Sequence, residues 1–249
     1  MRTSLIALLS VAMLAACSQA PVNPAAPVQT QAPAGATMAA ADCPPPPAQP
    51  VRYLPPPPPT PVQRVPVDEN HRLVKIETNM GDILVQLNAE RAPLTVKNFL
   101  AYVKDRYYDN SGFYRVVPGF VIQGGDFTPE LKYHQPKRAP IPNESGNGLS
   151  NQPGAIGMGT DAYPHSAQAA FYIDLEDNRK LDPRPDRWGY AVFGQVVEGM
   201  DVVRKIATVE THTVVPKGNK PDDAFHDVPV QPVKILKVTL EPLPGAVRQ

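Results

Sequence analysis

The chain has 249 residues, with 24 basic and 24 acidic side chains, 42% hydrophobic residues and 32 prolines. The length allows one large domain or two small ones, and the hydrophobic content is sufficient for a core. The balanced charge argues against a nucleic-acid-binding protein, because contacts to phosphates normally require a basic excess. Sixteen of the prolines lie between Pro21 and Pro66, which excludes one globule extending over the whole chain.

The first sixteen residues have the pattern of a secretory signal peptide. Arg2 precedes an apolar run over residues 5–14, which is too short for a permanent membrane-spanning helix. Leu14-Ala15-Ala16-Cys17 resembles the bacterial lipobox, in which the cysteine is acylated and becomes the first mature residue. The alternative is an ordinary signal peptide followed by a chance cysteine. We therefore predict residues 1–16 as signal peptide and Cys17 as the lipidation site.

A lipid on Cys17 implies a protein that is anchored in a bacterial envelope and faces the periplasm. Two or more acyl chains anchor a protein stably, because each buried CH2 contributes about 0.8 kcal/mol. In lipoproteins, a residue other than Asp after the cysteine favours the outer membrane, and Ser18 occupies that position. Cys43 then has no partner within the chain. We interpret it as a free thiol, with an intermolecular disulfide as the alternative.

The proline-rich segment separates this N-terminus from a domain of different composition. Residues 17–67 show no helical or strand periodicity, and they contain too little apolar surface to order themselves. We predict a disordered linker that acts as a spacer, with a proline-rich ligand for a recognition domain as the alternative. The folded domain is predicted over residues 68–243, followed by a short tail at 244–249.

The sequence of the domain predicts many short strands and two helices. Residues 73–78 and 83–87 alternate on either side of a turn, which predicts a β-hairpin. Pro93 suits the first turn of a helix, and residues 200–209 predict a second helix. This pattern favours a closed antiparallel barrel capped by helices. The remaining strands are predicted at residues 113–116, 120–123, 155–158, 169–175, 190–197 and 233–240.

Most of the apparent binding motifs carry little weight. The glycine-rich residues 154–159 lack the order and helix context of a phosphate-binding loop. Residues 222–227 contain three aspartates and a histidine, but we interpret them as a solvated loop because no other ligands cluster with them. No metal ion or cofactor is predicted.

The segment around Arg115 is the most informative. Arg115 lies among apolar residues, and Phe120 and Gln123 follow a Pro-Gly turn. Arg115 and Gln123 are eight residues apart, so two adjacent strands would bring a guanidinium and an amide together beside an aromatic ring. The alternative is an arginine that pairs with a carboxylate beneath a hairpin.

Residues 113–127 also resemble the signature of the cyclophilins, in which the pattern Phe-His-Arg-Val-Ile-Pro-Gly-Phe-Met-Ile-Gln-Gly-Gly-Asp-Phe is typical. The resemblance extends through Gly189-Tyr190-Ala191-Val192-Phe193-Gly194 and covers about residues 71–243. It implies a mainly β fold, a closed eight-stranded antiparallel barrel capped by two α-helices. It also implies a peptidyl-prolyl cis/trans isomerase, an enzyme that needs no nucleophile because no covalent bond changes.

The resemblance assigns roles to individual residues. Arg115 matches the catalytic arginine of the family, and Gln123 matches the glutamine that positions the peptide. Gly159 and Thr160 match the strip whose backbone binds the residues before proline, and Tyr190 occupies a position often held by histidine. The residues that match the pocket for the proline ring are Phe120, Val121, Tyr172 and Leu181.

Several of these positions depart from the family pattern. Val121 replaces the usual methionine, and Ala170 replaces a common glutamine. Tyr172 replaces a phenylalanine, so its hydroxyl needs a partner or an open pocket edge. Lys180 replaces the tryptophan associated with cyclosporin binding, which implies weak binding of that drug. We expect altered activity rather than none.

The expected partners are proline-containing unfolded or extended polypeptides, together with the membrane that holds the lipid anchor. No nucleic-acid partner is expected, and the protein is expected to act as a monomer. The rival hypothesis is a peptide-binding chaperone or scaffold module with little or no turnover.

Overall fold

A computed structural model describes residues 65–215 and 224–244 of the chain. The predicted signal peptide, the lipidation site Cys17, Cys43 and most of the proline-rich linker lie outside the described residues. The same holds for residues 245–249 of the predicted tail. Within the described part, no helix has the length and apolar character needed to cross a membrane.

The domain is an antiparallel β-barrel. Eight strands close in the order β1-β10-β3-β4-β6-β5-β7-β2, while β8 and β9 form a separate two-stranded sheet. This architecture, with two α-helices, confirms the predicted fold. The elements are β1 (Leu73–Thr78), β2 (Gly81–Leu87), α1 (Pro93–Lys104), β3 (Ser111–Val117), β4 (Val121–Gly124), β5 (Ala155–Met158), β6 (Phe171–Asp174), β7 (Val192–Glu198), α2 (Met200–Ile206), β8 (Thr211–Val214), β9 (Phe225–Pro229) and β10 (Val233–Leu240).

Alternating apolar residues build the barrel interior. Ile76 on β1 lies opposite Ile83 on β2, and both are fully buried. Strands of period two direct such residues to one face, so the opposite face remains available for polar groups. Just before the predicted domain start, the backbone of Val65 exchanges hydrogen bonds of 3.2 and 2.7 Å with the amide of Gln86.

Helix α1 packs against the barrel and is capped from a distance. Pro93 occupies its first turn, as predicted. The Glu144 carboxylate accepts hydrogen bonds from the backbone N–H groups of Leu94 and Thr95 at 3.1 and 2.8 Å, which satisfies donors that the first turn leaves open. Phe99 on the buried face packs against the rings of Tyr108, Phe171 and Phe193.

The interpretation of residues 222–227 as a solvated loop is wrong in its second half. Phe225–Pro229 forms β9, and the Phe225 ring packs edge-on against Phe127 with their centroids 5.2 Å apart. Residues 216–223 lie outside the description. In the residues that are described, no three His, Cys, Asp or Glu side chains form a group able to hold a metal. Some other predicted element ends differ by one to three residues; α2, for example, ends at Ile206 rather than residue 209.

Candidate active site

Four neighbouring strands place one row of residues on the outer face of the barrel. Arg115 on β3 lies opposite Gln123 on β4, Gln123 lies opposite Tyr172 on β6, and Tyr172 lies opposite Gly157 on β5. The predicted pairing of Arg115 with Gln123 on adjacent strands is therefore what the structure shows. The sequence neighbours of Gln123, Tyr172 and Gly157 point inward and are fully buried, namely Ile122, Ile173 and Ile156.

A tight turn places an aromatic ring beside this row. The backbone N–H of Phe120 donates to the carbonyl of Val117 at 3.0 Å, with Pro118 and Gly119 at the centre of the turn. Gly119 has a φ of 71°, a left-handed value that glycine adopts without strain. Phe120 is half-buried, and its ring centroid lies 5.9 Å from Cζ of Arg115.

Two different groups hold the guanidinium of Arg115. Its Nη1 donates to Oε1 of Gln123 at 3.3 Å, while Nε lies 3.8 Å from Oδ2 of Asp227 on β9. Both interpretations of the sequence, a neighbouring amide and a paired carboxylate, thus hold for different edges of the same side chain. Nη2 makes no hydrogen bond within residues 65–215 and 224–244, so its two donors are available to a ligand.

A second layer of polar groups lies behind Gln123. Its Nε2 donates to the hydroxyl of Tyr114 at 2.8 Å. Burial raises the pKa of Asp126 to about 7, although a hydrogen bond with the Tyr114 hydroxyl lowers it. Oδ1 of Asp126 is inaccessible to solvent and has no partner in the described chain. Two side chains, Gln123 and Tyr114, therefore lie between the arginine and a carboxyl whose pKa burial raises.

The other end of the row is apolar and deeply packed. Val121 is 3% exposed, and Tyr190 packs edge-on against Tyr172 with ring centroids 6.0 Å apart. Leu181 lies in a short 3-10 turn, where its carbonyl accepts a hydrogen bond from the Tyr190 backbone at 2.9 Å. Lys180, in the same turn, places Nζ 4.3 Å from the centroid of Phe120. A cation therefore covers the ring where the family pattern has an aromatic residue.

Tyr172 obtains a partner for its additional hydroxyl. The hydroxyl is hydrogen-bonded to Oδ1 of the fully buried Asn151 at 2.6 Å, and Nδ2 of Asn151 donates to Asp182 at 2.7 Å. The ring lies directly over Gly157, where a Cβ atom would approach Cζ of Tyr172 to 2.2 Å. Burial raises the pKa of Tyr172 well above its usual value.

The two predicted peptide-binding residues at 159 and 160 lie along the same ladder. Gly159 donates its N–H to the carbonyl of Ala170 at 2.8 Å, which extends the pairing of β5 with β6 by one step. Alternation places Gly159 on the same face as Gly157. Thr160 follows it and is half-buried. The extended backbone needed for a strip that binds a peptide is therefore present beside Tyr172.

A second buried carboxyl lies beneath the apolar end. Asp174 is opposite Val121 in the β4–β6 pairing and is fully buried. Burial raises its pKa to about 8, although Nδ2 of Asn178 donates to Oδ1 at 2.7 Å. Oδ2 is buried with no partner among the residues described.

Comparisons with known proteins identify this arrangement. Residues 73–240 match the family model of the cyclophilin type peptidyl-prolyl cis-trans isomerase/CLD. The chain belongs to the cyclophilin-type peptidyl-prolyl cis-trans isomerases. This confirms the family and the isomerase activity that the sequence predicts.

Curated relatives and a solved structure agree with the family. A peptidyl-prolyl cis-trans isomerase of Acinetobacter baylyi is 42% identical over 169 residues, covering 68% of this chain and 85% of the relative. Peptidyl-prolyl cis-trans isomerase B of Escherichia coli is 46% identical over 153 residues, covering 58% of this chain and 93% of the relative. A cyclophilin-type isomerase of Cryptosporidium parvum, 23% identical, shares the fold with a TM-score of 0.58 over 70% of this chain and 99% of its own.

In this cyclophilin the structure adds residues that the sequence pattern alone did not single out. Tyr114 contacts Gln123 because the β3–β4 register shifts between Phe113 and Arg115, so that Tyr114 has no partner of its own. Asp227 has a φ of 59°, a conformation that asparagine and aspartate adopt more readily than most residues. The position of Tyr114 next to Arg115 in the sequence suggests that it lies near the site. No sequence pattern marks the bulge that brings both residues to the amide of Gln123. The catalytic and binding roles of the matched residues stay predictions.

Proposed function

We propose that this cyclophilin isomerises X-Pro bonds in extended polypeptides outside the cytoplasm, with Arg115 as its catalytic residue. The observation that supports the role of Arg115 is the position of its guanidinium. Gln123 and Asp227 hold two of its edges, while the Nη2 donors are unused in the described chain and lie beside the half-buried ring of Phe120.

The reaction requires only that amide resonance be weakened. Rotation about a peptide bond has a barrier of about 18–20 kcal/mol, and X-Pro bonds isomerise over tens of seconds or longer without catalysis. In the twisted state the prolyl nitrogen is pyramidal and carries a lone pair. A guanidinium N–H aimed at that nitrogen stabilises the twisted state more than the planar one, which lowers the barrier.

The rest of the site would hold the peptide in register with Arg115. The half-buried Phe120 and Leu181 offer apolar surface to the proline ring, and the predicted pocket residues Val121 and Tyr172 are more deeply buried. The backbone at Gly159 and Thr160 can pair with the extended residues that precede proline, since no bulky side chain at Gly159 blocks their approach. Tyr190 limits the pocket through its edge-on contact with Tyr172.

An isomerisation assay with a proline-containing peptide tests the role of Arg115. We expect the wild-type chain to exceed the uncatalysed rate and Arg115→Ala to lose about 100-fold or more in kcat/KM, as when a preorganised transition-state donor is removed. Arg204→Ala, at an exposed position on α2, is the matched control and should retain wild-type turnover. Wild-type chain that binds the peptide without accelerating isomerisation would instead support the peptide-binding chaperone.

The proposed location rests on the N-terminal sequence. The lipobox-like Leu14-Ala15-Ala16-Cys17 and the proline-rich residues 18–67 would place the domain on a tether at the outer membrane, facing the periplasm. There it would assist proteins that fold or assemble outside the cytoplasm. Metabolic labelling with a fatty acid should label the wild-type protein and not Cys17→Ser. Label that persists in the variant would contradict this location.

A further inference from the structure

The bulge in β3 places a tyrosine hydroxyl behind the glutamine of the site. Tyr114 has no partner across the β3–β4 ladder, and its hydroxyl lies 2.8 Å from Nε2 of Gln123. We propose that Tyr114 is a positioning residue for the isomerase reaction, which fixes the amide of Gln123 so that Oε1 faces Arg115. This inference rests on the proposed catalytic role of Arg115.

The orientation of the amide matters because a guanidinium can only donate hydrogen bonds. Oε1 of Gln123 accepts a hydrogen bond from Nη1 of Arg115. An NH2 group in the same position would place two donors against each other, with no hydrogen bond between them. The two ends of an amide have nearly the same shape, so packing alone does not select between them. An acceptor on the far side selects the orientation, and the Tyr114 oxygen supplies it.

Tyr114 acts as that acceptor because its own proton is directed elsewhere. Burial raises the pKa of Tyr114 well above its usual value, so the hydroxyl keeps its proton at physiological pH. The carboxyl of Asp126 interacts electrostatically with this hydroxyl and can accept its proton when ionised. The Tyr114 ring is held against Phe127, with their centroids 4.7 Å apart.

The arrangement of Gln123, Tyr114 and Asp126 predicts that turnover depends on pH. Burial raises the pKa of Asp126 to about 7. Above that pH the carboxylate accepts from Tyr114, which leaves the Tyr114 oxygen to accept from Gln123. Below it the carboxylic acid can donate to Tyr114, whose proton is then free to turn towards Oε1 of Gln123 and reverse the amide. Turnover should therefore rise as the pH increases through about 7.

The histidine and the tyrosines around Asp126 do not titrate in that window. His134 packs on Tyr107, and burial lowers its pKa below the usual value of 6.5, so its titration falls at lower pH. The tyrosines have raised pKa values and stay neutral. The titratable groups that act on Asp126 or feel its charge are Tyr107, Tyr108, Tyr114, Tyr133 and Asp161.

Tyr114→Phe in the full-length chain tests the proposal, with Tyr133→Phe as the matched control. Tyr133 packs on the same Phe127 ring, so both variants remove one hydroxyl from one aromatic cluster. We expect Tyr114→Phe to lower kcat about three- to tenfold, the scale of one hydrogen bond, with KM changed less than about twofold. The rise of its turnover through about pH 7 should be lost, whereas Tyr133→Phe should keep the wild-type kcat and pH profile.

A double-mutant cycle separates positioning from a general structural effect. In a Gln123→Ala background, Tyr114→Phe should have no further effect on kcat, because Tyr114 acts only through the amide. Equal losses in both backgrounds, a wild-type kcat in Tyr114→Phe, or a retained pH profile in that variant would each overturn the proposal. If Arg115→Ala abolishes turnover while Tyr114→Phe does not alter it, this inference fails and the proposed function stands.

Discussion

The two ends of the site are held in different ways. At the charged end, Arg115 has a side chain that is 32% exposed and is held by Gln123 and Asp227. At the apolar end, Tyr172 is 5% exposed, lies over Gly157 and is tied to Asn151. The charged end depends on directional contacts that single substitutions or a proton can alter. The apolar end depends on packing, so its shape and the stability of the fold are linked.

Gly157→Ala should have the largest effect at the apolar end. The new Cβ would lie 2.2 Å from Cζ of Tyr172, so the ring must move and its hydroxyl must leave Asn151. We expect the free energy of unfolding to fall by about 1–3 kcal/mol, together with a loss of kcat/KM. Denaturant unfolding and the peptide assay measure the two effects.

Gly146→Ala is the control for that substitution, because a Cβ there meets nothing within 4 Å. It should leave both unfolding and turnover close to those of the wild type. Wild-type stability and turnover in Gly157→Ala would show that the apolar end is not packed as described.

Asp174→Asn should change how stability depends on pH. The folded-state pKa is raised by burial to about 8, against 3.8 for the ordinary group. The folded state therefore binds more protons between about pH 4 and 8, and the stability of the wild type falls as the pH rises through that range. An asparagine cannot ionise and still accepts from Asn178. We expect Tm of the variant to exceed that of the wild type more at pH 8 than at pH 5.

The carboxyl of Asp126 also makes the stability of the fold decrease as the pH rises, because burial raises its pKa to about 7. The variant should therefore lose part of the pH dependence and not all of it. A difference in Tm between Asp174→Asn and wild type that is the same at pH 5 and pH 8 would contradict the raised pKa of Asp174.

Asp227→Asn should have the smallest effect, and it probes the charged end. The ion pair with Arg115 spans 3.8 Å, and its two side chains are 32% and 41% exposed. Exposed pairs of this kind contribute about 1 kcal/mol or less to stability. We expect a Tm close to that of the wild type and kcat/KM within about twofold, because Gln123 still holds Nη1. A loss as large as that of Arg115→Ala would make Asp227 the main support of the guanidinium.

The features predicted from the sequence are those that local patterns specify. The alternation of residues 233–240 predicted β10 with its correct ends, and the spacing of Arg115 and Gln123 predicted their contact across two strands. The hairpin of β8 and β9 was missed because β8 carries no buried residue and so shows no apolar alternation.

Local sequence patterns could not predict the contacts that complete the site, because these contacts depend on how distant parts of the chain pack together. Tyr172 and Asn151 are 21 residues apart, and their hydrogen bond depends on how β6 packs against the loop before β5. The contact of Tyr114 with Gln123 depends on a single extra residue in β3, which the alternation of side chains cannot reveal.

The most direct test of the account measures binding and exchange separately. Magnetisation-exchange NMR of a proline peptide with the full-length chain reports cis/trans interconversion of the bound peptide, and line broadening reports binding. For Arg115→Ala we expect the peptide to bind at the apolar end while exchange on the enzyme falls to the uncatalysed rate. Exchange in Arg115→Ala as fast as in the wild type would contradict the central role of Arg115.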